Sequence, residues 1–314
     1  MNRRTAAVLI LAMWVGALGW LTERHYLARA GARGEPRWPV PPGSAFHIVR
    51  LGERQIGLAS QTVDTVAEGL RVVQLMTLDL PTEASDQRRR TSVRLEALYS
   101  RGLQLREWRS LELTERGRSS SHGMVYGDSL LVLVTTPEGV PPETLQVRLR
   151  RPVILPGSIP LVAASRGLPR PGSRLNLEVF DPLDRELRVE RLVVATESLF
   201  TVPDSAQWNP TLRRWVVAHA DTIRAWRLDA DEHGLPVSRW VDGSGMIVLT
   251  RYPLGAQLQR SAFELVNTNF RRQPAPIWDT SAAAPVYFPA PPPGRPRHQL
   301  EALSYLAPDD TLPT

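Results

Sequence analysis

The sequence predicts a mainly β protein, built as a two-lobed antiparallel sheet (an open half-barrel or a sandwich) with one short helix. Three observations support this fold class. Short segments that alternate apolar and polar residues recur from residue 45 to residue 266, separated about every 8–12 residues by Gly and Asp turn signals. A helical pattern covers residues 155–166, with Pro near its start and Gly167 after it. An uncharged run at residues 5–22 predicts a transmembrane helix before the sheet.

The alternating segments form two groups, one on each side of the predicted helix. Pairs such as Glu68-Gly69 and Gly127-Asp128 mark the turns between them. The first group of predicted strands comprises residues 46–51, 55–63, 70–80, 92–99, 103–113, 122–126 and 129–135. The second group comprises residues 174–180, 186–196, 214–218, 222–229, 236–241, 246–252 and 261–266. Two such groups predict two lobes, with a seam near residues 167–172.

Residues 1–22 are predicted to form a signal anchor. Arg3 and Arg4 precede the uncharged run, whose 18 residues span roughly 27 Å as a helix, near the thickness of a bilayer core. A cleaved signal peptide is the alternative, because Ala28-Arg29-Ala30 matches a cleavage pattern. We expect a single-pass protein of a bacterial cytoplasmic (inner) membrane, with its body in the periplasm or extracytoplasmic space.

Composition divides the remainder of the chain into three parts. Residues 23–44 contain closely spaced prolines and predict a stiff, Pro-rich linker. Residues 45–272 carry the strand pattern and predict a β-rich extracytoplasmic domain. Residues 273–314 are again rich in proline and predict a flexible tail.

The residue types that are missing exclude several kinds of chemistry. The chain contains no cysteine, which excludes disulfides, thiolate catalysis and lipidation at a lipobox cysteine. It also contains no lysine, since all 38 basic residues are arginine, and this excludes a Schiff-base lysine and a phosphate-loop lysine. The net charge is +6, but residues 43–272 carry 30 arginines against 26 acids. This near balance argues against a nucleic-acid partner.

One polar cluster has the residue types of a metal site. Asp229, Asp231 and His233 alternate along a predicted strand, so that all three would lie on one face and could bind a divalent metal. The alternative is that these residues form the solvated turn of a hairpin. No cofactor is predicted from any motif in the chain.

His219 and Asp221 suggest the base and orienting acid of a catalytic triad. No Gly-x-Ser-x-Gly elbow supplies a nucleophile for them. Two residues on the same face of one strand are also poorly arranged for the chain of hydrogen bonds that a triad needs. A polar strand face is therefore the simpler interpretation, and an envelope hydrolase with a cryptic acid/base or metal site stays open as the alternative function.

Three tryptophans in strand patterns are candidate ligand-binding residues. Trp108, Trp226 and Trp240 could line a lipid or glycan site on a curved sheet. Aromatic residues in strands also pack the core, which is the competing interpretation.

A family resemblance rests on turn glycines and polar positions of the C-terminal part. The residues that carry it are Arg239-Trp240-Val241-Asp242-Gly243-Ser244-Gly245, Pro253-Leu254-Gly255, Arg260, Glu264 and the opening residues 52–57. This pattern resembles periplasmic β-rich domains found N-terminal to bacterial transglutaminase-like domains, which are similar to the LolA-like half-barrels of lipoprotein carriers. The resemblance implies a curved antiparallel sheet and no activity, because the chain lacks the cysteine of the fused enzymes.

These observations together predict a membrane-anchored, non-catalytic binding or scaffold module of the cell envelope. Its curved sheet would bind a lipid, a glycan or a partner enzyme, and its N-terminal helix would lie in the membrane.

Overall fold

The computed structural model describes residues 40–81, 88–114, 117–127, 129–167, 170–232 and 234–272. The predicted anchor, most of the linker, the tail and His233 lie outside these residues. Within the described part of the chain, no helix combines the length and apolar character that crossing a bilayer requires.

Fourteen antiparallel strands form one open sheet, which confirms the mainly β prediction. Strands β1–β7 are Gly43–Leu51, Arg54–Val66, Gly69–Pro81, Arg88–Tyr99, Leu105–Thr114, Gly117–Tyr126 and Leu130–Pro137. Strands β8–β14 are Glu143–Arg148, Arg174–Asp181, Glu186–Asn209, Arg214–Glu232, Leu235–Asp242, Ile247–Arg251 and Ala256–Ser261. Helix α1 is Ile159–Ser165, after a 3-10 turn at Pro156–Ser158, and helix α2 is Asn269–Arg272, after a π-helical turn at Glu264–Thr268.

The sheet consists of two meanders joined along β1 and β14. The order is β8-β7-β6-β5-β4-β3-β2-β1-β14-β13-β12-β11-β10-β9, so β8 and β9 are the two edges. Strand β1 pairs with β14 from Phe46 opposite Ser261 to Leu51 opposite Ala256. The two predicted groups of strands are therefore continuous within a single sheet, and the predicted seam falls between α1 and β9.

One predicted strand is wrong. Residues 261–266 were expected to be extended, but β14 ends at Ser261 and a helical turn begins at Glu264. The apolar residues Leu265, Val266 and Phe270 are spaced as on a helix, and Val266 and Phe270 pack on Leu58 of β2. The helical spacing of these apolar residues therefore determines the local structure, although the short apolar run is also compatible with a strand.

Helix α1 packs on the inner face of the sheet, which we define as the face that carries the residues in contact with this helix. Six of its seven residues are buried, so it is apolar on nearly every side. Ala163 packs with Val194, Leu228 and Val241 of the second meander. Burial of each large aliphatic side chain contributes about 2 kcal/mol, so this helix is a major part of the core.

Hydrogen bonds attach the turn before α1 to the first meander. The hydroxyl of Tyr99 on β4 donates to Ser158 Oγ at 2.7 Å, and both residues are buried. Gln74 Nε2 on β3 donates to the carbonyl of Gly157 at 3.0 Å. A Cβ atom at Gly157 would lie 2.1 Å from the Gln74 amide, so a larger residue would displace the Gln74 side chain.

The hairpin of β10 and β11 extends beyond its neighbours. Strand β9 pairs with β10 only through Val193, and β12 pairs with β11 only from Ala225 onward. The extension, residues 197–224, is called the arm. Its residues Phe200 and Val202 pack with Trp240 of β12. The arm therefore covers the outer face of the second meander, while α2 and its preceding turn pack outside β1 and β2.

A buried ion network closes the inner face beside α1. Arg239 on β12 lies 3.9 Å from Glu190 on β10 and pairs with Glu232 on β11. The Glu190 side chain is only 1% exposed, and Arg188 lies 3.5 Å from it. Desolvation of these groups costs free energy that only mutual pairing offsets, so the network favours one register among the three strands.

Gly245 provides a test of the contact between α1 and the sheet. Its φ is +79°, and a Cβ atom there would lie 2.8 Å from the Leu161 Cα. We expect Gly245→Ala to lower the free energy of unfolding by about 2–4 kcal/mol, measured by urea denaturation of the full chain. Gly255→Ala is the control, because Gly255 has φ +80° but open surroundings. Equal losses in both variants would contradict a steric role for α1.

His47 on β1 predicts an acid-sensitive step in stability. Burial, together with the charge of Arg260, lowers the pKa of His47 to about 4, and its Nε2 donates to the Ile247 carbonyl at 2.9 Å. Unfolded chains protonate histidine below about pH 6.5, so the contribution of neutral His47 is complete above that pH. It falls by about 3 kcal/mol as the pH drops from 6.5 to 4.

We expect His47→Gln to flatten the stability profile between pH 6.5 and 4, measured by urea denaturation at each pH. His122→Gln is the control, because the His122 side chain is 42% exposed. The same slope in wild type and His47→Gln would refute the assignment.

Candidate functional site

The outer face of strands β4–β7 carries two rows of mostly polar residues, which the register of the strands places side by side. In the first row Glu96, Arg109, His122 and Val134 lie opposite one another on successive strands. In the second row the corresponding residues are Arg94, Leu111, Ser120 and Thr136. Side chains two residues apart on a strand share a face, so the two rows form one continuous surface.

These rows line a shallow groove with a volume of about 570 Å³, which we call the outer groove. Its cations are Arg94, Arg109 and Arg118. The Arg94 and Arg109 side chains are 60% and 71% exposed, so their guanidinium groups are accessible to a ligand. Ser and Thr hydroxyls between the arginines add hydrogen-bond donors and acceptors.

The charges of the outer groove are only partly neutralised. Arg94 lies 3.7 Å from Glu96, and Arg109 lies 2.8 Å from Glu107. His122 Nε2 lies 3.0 Å from the same Glu107 carboxylate. Arg118 has no ion-pair partner among the described side chains. Three arginines line the groove with Glu96, and Glu107 pairs with Arg109 from beside it, while Glu138 accepts from the Arg118 backbone N–H at 2.8 Å. The Arg94 and Arg118 guanidinium groups are the cations left for an anionic ligand.

Sequence reasoning missed this groove because its residues come from four strands. His122 had no visible partner in the sequence, and β5 places Glu107 beside it. The available signal was the alternation of Arg94 with Glu96 and of Glu107 with Arg109, which puts charges on one face of each strand. The register between strands aligns these faces, and it cannot be derived from the sequence of either strand alone.

The structure does not bring the three candidate tryptophans together. Trp108 is fully buried, with its ring 5.4 Å from the Phe180 ring. Trp226 packs against the cluster around α1 on the inner face. Trp240 is 7% exposed beneath the arm, 5.9 Å from the Phe200 ring. Their role in ligand binding stays a prediction, and none of them lines the outer groove.

The two described members of the predicted metal site already have protein partners or face solvent. Asp229 Oδ1 accepts from Ser238 Oγ at 2.7 Å, and its Oδ2 lies 3.1 Å from Arg227. Asp231 is exposed near the end of β11. The third member, His233, lies outside the described residues, so this metal site stays a prediction.

The His219 and Asp221 pair gains a third residue on the arm. Asp204 Oδ1 lies 3.0 Å from His219 Nδ1, and Asp221 Oδ1 lies 3.8 Å from it. The three ligand atoms lie within 4.8 Å of one another, and all three residues are exposed. The hydrogen bond to Asp204 raises the pKa of His219, and the same bond lowers the pKa of Asp204.

The titration of His219 tests which carboxylate has the larger effect on its pKa. Asp204 has the largest effect and Asp221 the smallest, so Asp204→Asn should return the pKa of His219 close to its ordinary value. Asp221→Asn, the matched control, should change the pKa far less. NMR titration of the imidazole carbons measures both. A larger change in Asp221→Asn would contradict the geometry.

Comparisons with known proteins give structural neighbours only. No family model and no curated protein matches the chain. Among solved structures, the chain is similar to a β-barrel-like protein of domain of unknown function DUF1849 from Brucella abortus, at 11% identity and a TM-score of 0.45, over 70% of this chain and 96% of that one. It is also similar to a DUF1089 family protein from Pseudomonas aeruginosa, at 11% identity and a TM-score of 0.35, over 64% of this chain and 91% of that one.

Proposed function

We propose that this protein is a non-catalytic binding module of the bacterial envelope, and that its ligand is an anionic glycan bound in the outer groove. The observation that carries the proposal is the placement of Arg94, Arg109 and Arg118 around a groove of about 570 Å³ lined with hydroxyl groups. Guanidinium groups bind carboxylates and phosphates with charge-assisted hydrogen bonds, and hydroxyl groups match the polar edges of sugars.

The filled inner face supports an outward-facing ligand site. Leu161 and Ala163 of α1 are fully buried, and Ala163 packs on Val194 and Val241, apolar surface that an acyl chain would otherwise contact. A lipid carrier would offer a continuous apolar concavity, whereas here the chain itself supplies the apolar contacts. The outer groove is open and polar, which suits a soluble or surface-displayed glycan.

The titratable groups support a binding role for the outer groove rather than a catalytic one. The largest pKa shifts with values belong to His47, lowered to about 4, and Tyr99, raised to about 12, and both are caused mainly by burial. Each residue is bonded within the core, at Ile247 and Ser158 respectively. Two accessible residues with shifted pKa values, Asp204 and His219, lie together on the arm, and the outer groove contains none of these four residues.

The cellular setting forms part of the proposal. The charged N-terminus and apolar run at residues 5–22 support an anchor in the inner membrane, with the β-rich body in the periplasm. The resemblance to LolA-like half-barrels and to domains preceding transglutaminase-like domains is retained as a hypothesis about the fold. Asp242, which carries part of it, accepts from Ser244 and Arg260 and so stabilises a turn.

The envelope hydrolase remains the second candidate, favoured by the cluster of Asp204, His219 and Asp221. It predicts zinc-dependent hydrolysis that Asp204→Asn and His219→Gln both abolish.

Glycan binding is tested with carboxylated oligogalacturonides and phosphorylated oligosaccharides, with neutral maltohexaose as the reference, by isothermal titration calorimetry on the full chain. We expect only the anionic glycans to bind. Arg109→Gln and Arg118→Gln should each weaken binding about tenfold, because each removes one charge-assisted contact. The affinity should also fall as the salt concentration rises.

Arg224→Gln is the control, since Arg224 is an exposed, ion-paired arginine on the arm, outside the outer groove. Equal binding of maltohexaose, or equal losses in Arg224→Gln and Arg109→Gln, would contradict the proposal.

A further inference from the structure

A second pocket lies beside the edge strand β9. It has a volume of about 480 Å³, within the range of small-ligand sites, and we call it the edge pocket. Its walls come from four parts of the chain: the loop at residues 102–104, the segment at residues 151–154, the end of α1 and the strands β9 and β10. None of its lining residues belongs to the outer groove.

The edge of β9 is paired at residues 178 and 180 and open at Asn176, which lines this pocket. Ile154 donates its N–H to the Glu178 carbonyl at 3.1 Å, and Phe180 donates to the Ile154 carbonyl at 2.9 Å. Residues 178 and 180 therefore point their backbone groups away from β10. Alternation along the strand turns the N–H and C=O of Asn176 toward the same edge. No backbone group among the described residues pairs with Asn176 there.

Glu178 adds an acceptor that lacks a donor. Its Oε2 atom is buried and has no hydrogen bond with the described residues, while its side chain is 15% exposed. The nearest cation, the Arg151 Nε atom, lies 4.0 Å from the other carboxylate oxygen. A buried carboxylate oxygen without a donor costs free energy. Rotation of the partly exposed side chain would bring this oxygen to an N–H group of a ligand in the pocket.

Two arginines and an apolar floor complete the edge pocket. Arg151 and Arg166 are exposed at its rim, where they would attract a carboxylate. Leu103, Val162 and Leu177 line its interior with aliphatic groups. The pocket thus combines strand-edge hydrogen bonding, a donor-seeking carboxylate, a cationic rim and an apolar floor, which together match a short peptide.

We propose that the edge pocket binds the carboxyl-terminal residues of an extended peptide, which adds to β9 at Asn176. The peptide backbone pairs with the Asn176 N–H and C=O, as in other cases of strand addition. One of its N–H groups donates to Glu178, and its terminal carboxylate lies near Arg151 and Arg166. An aliphatic side chain of the peptide contacts Leu103 and its neighbours. This site is independent of glycan binding in the outer groove.

The test uses the full chain and two pooled libraries of acetylated tripeptides, one with free carboxyl termini and one with carboxamide termini. Affinity selection followed by mass spectrometry identifies bound peptides, and fluorescence anisotropy of labelled hits gives the affinity. We expect free-carboxyl peptides to be enriched, with aliphatic residues preferred. Selection of no peptide, or equal selection from both libraries, would overturn the proposal.

Proline substitution separates backbone pairing from side-chain contact. Asn176→Pro removes the edge N–H at a position where an edge strand tolerates proline, and it should weaken binding at least tenfold. Asn176→Ala keeps the N–H and should bind within twofold of wild type. If Asn176→Pro unfolds, Glu178→Gln decides, with an expected loss of about fivefold. Wild-type affinity in both Asn176→Pro and Glu178→Gln would overturn the site.

Arg109→Gln distinguishes the two proposals, because it should weaken glycan binding and leave peptide affinity unchanged. Loss of peptide binding in Arg109→Gln would overturn the edge pocket as the peptide site. Retention of peptide binding, with glycan binding absent from wild type, would support the edge pocket and reject the outer groove.

Discussion

Burial of α1 and its preceding turn between the two meanders is the interaction on which the rest of the structure depends. The meanders meet directly along only six residues of β1, from Phe46 to Leu51. The buried segment adds contacts to both, through Tyr99 in the first meander and Val241 in the second. The inner face of each meander would otherwise expose apolar residues to water. One short helix and its preceding turn bury apolar residues of both meanders.

This arrangement decides where a ligand can bind. The inner face is occupied by the chain itself, and the outer face of the second meander is covered by the arm, whose Val202 packs on Trp240. The outer face of β1 and β2 is covered by Val266 and Phe270. The outer face of β4–β7 keeps exposed polar side chains such as Arg94 and Arg109. The outer groove is therefore an accessible surface that the packing of the fold does not cover.

The sequence predicted most strands and the buried helix because turn glycines and hydrophobic periodicity are local signals. Two errors show where local signals fail. Residues 261–266 have the apolar run of a strand, but Val266 and Phe270 pack on β1 and β2 as residues of a helical segment. The arm was predicted only in part, as two short strands at residues 214–218 and 222–229, and its first strand at residues 197–209 was not predicted. In the structure the hairpin bends at bulges near Pro203 and continues to Asn209.

Both proposed sites depend on register, which sequence periodicity does not supply. The buried pair of Glu190 and Arg239 helps to set it, because a slip by one residue would move either charge to the opposite face. Strand β10, fixed by this pair, also fixes β9 through Arg188 and Asp181, which lie 3.1 Å apart. The edge groups of Asn176 reach the edge pocket only in this register. Burial of Glu190 and Arg239 lowers the stability of the fold by desolvation. The same pair helps to position the edge of β9, which we propose binds peptide.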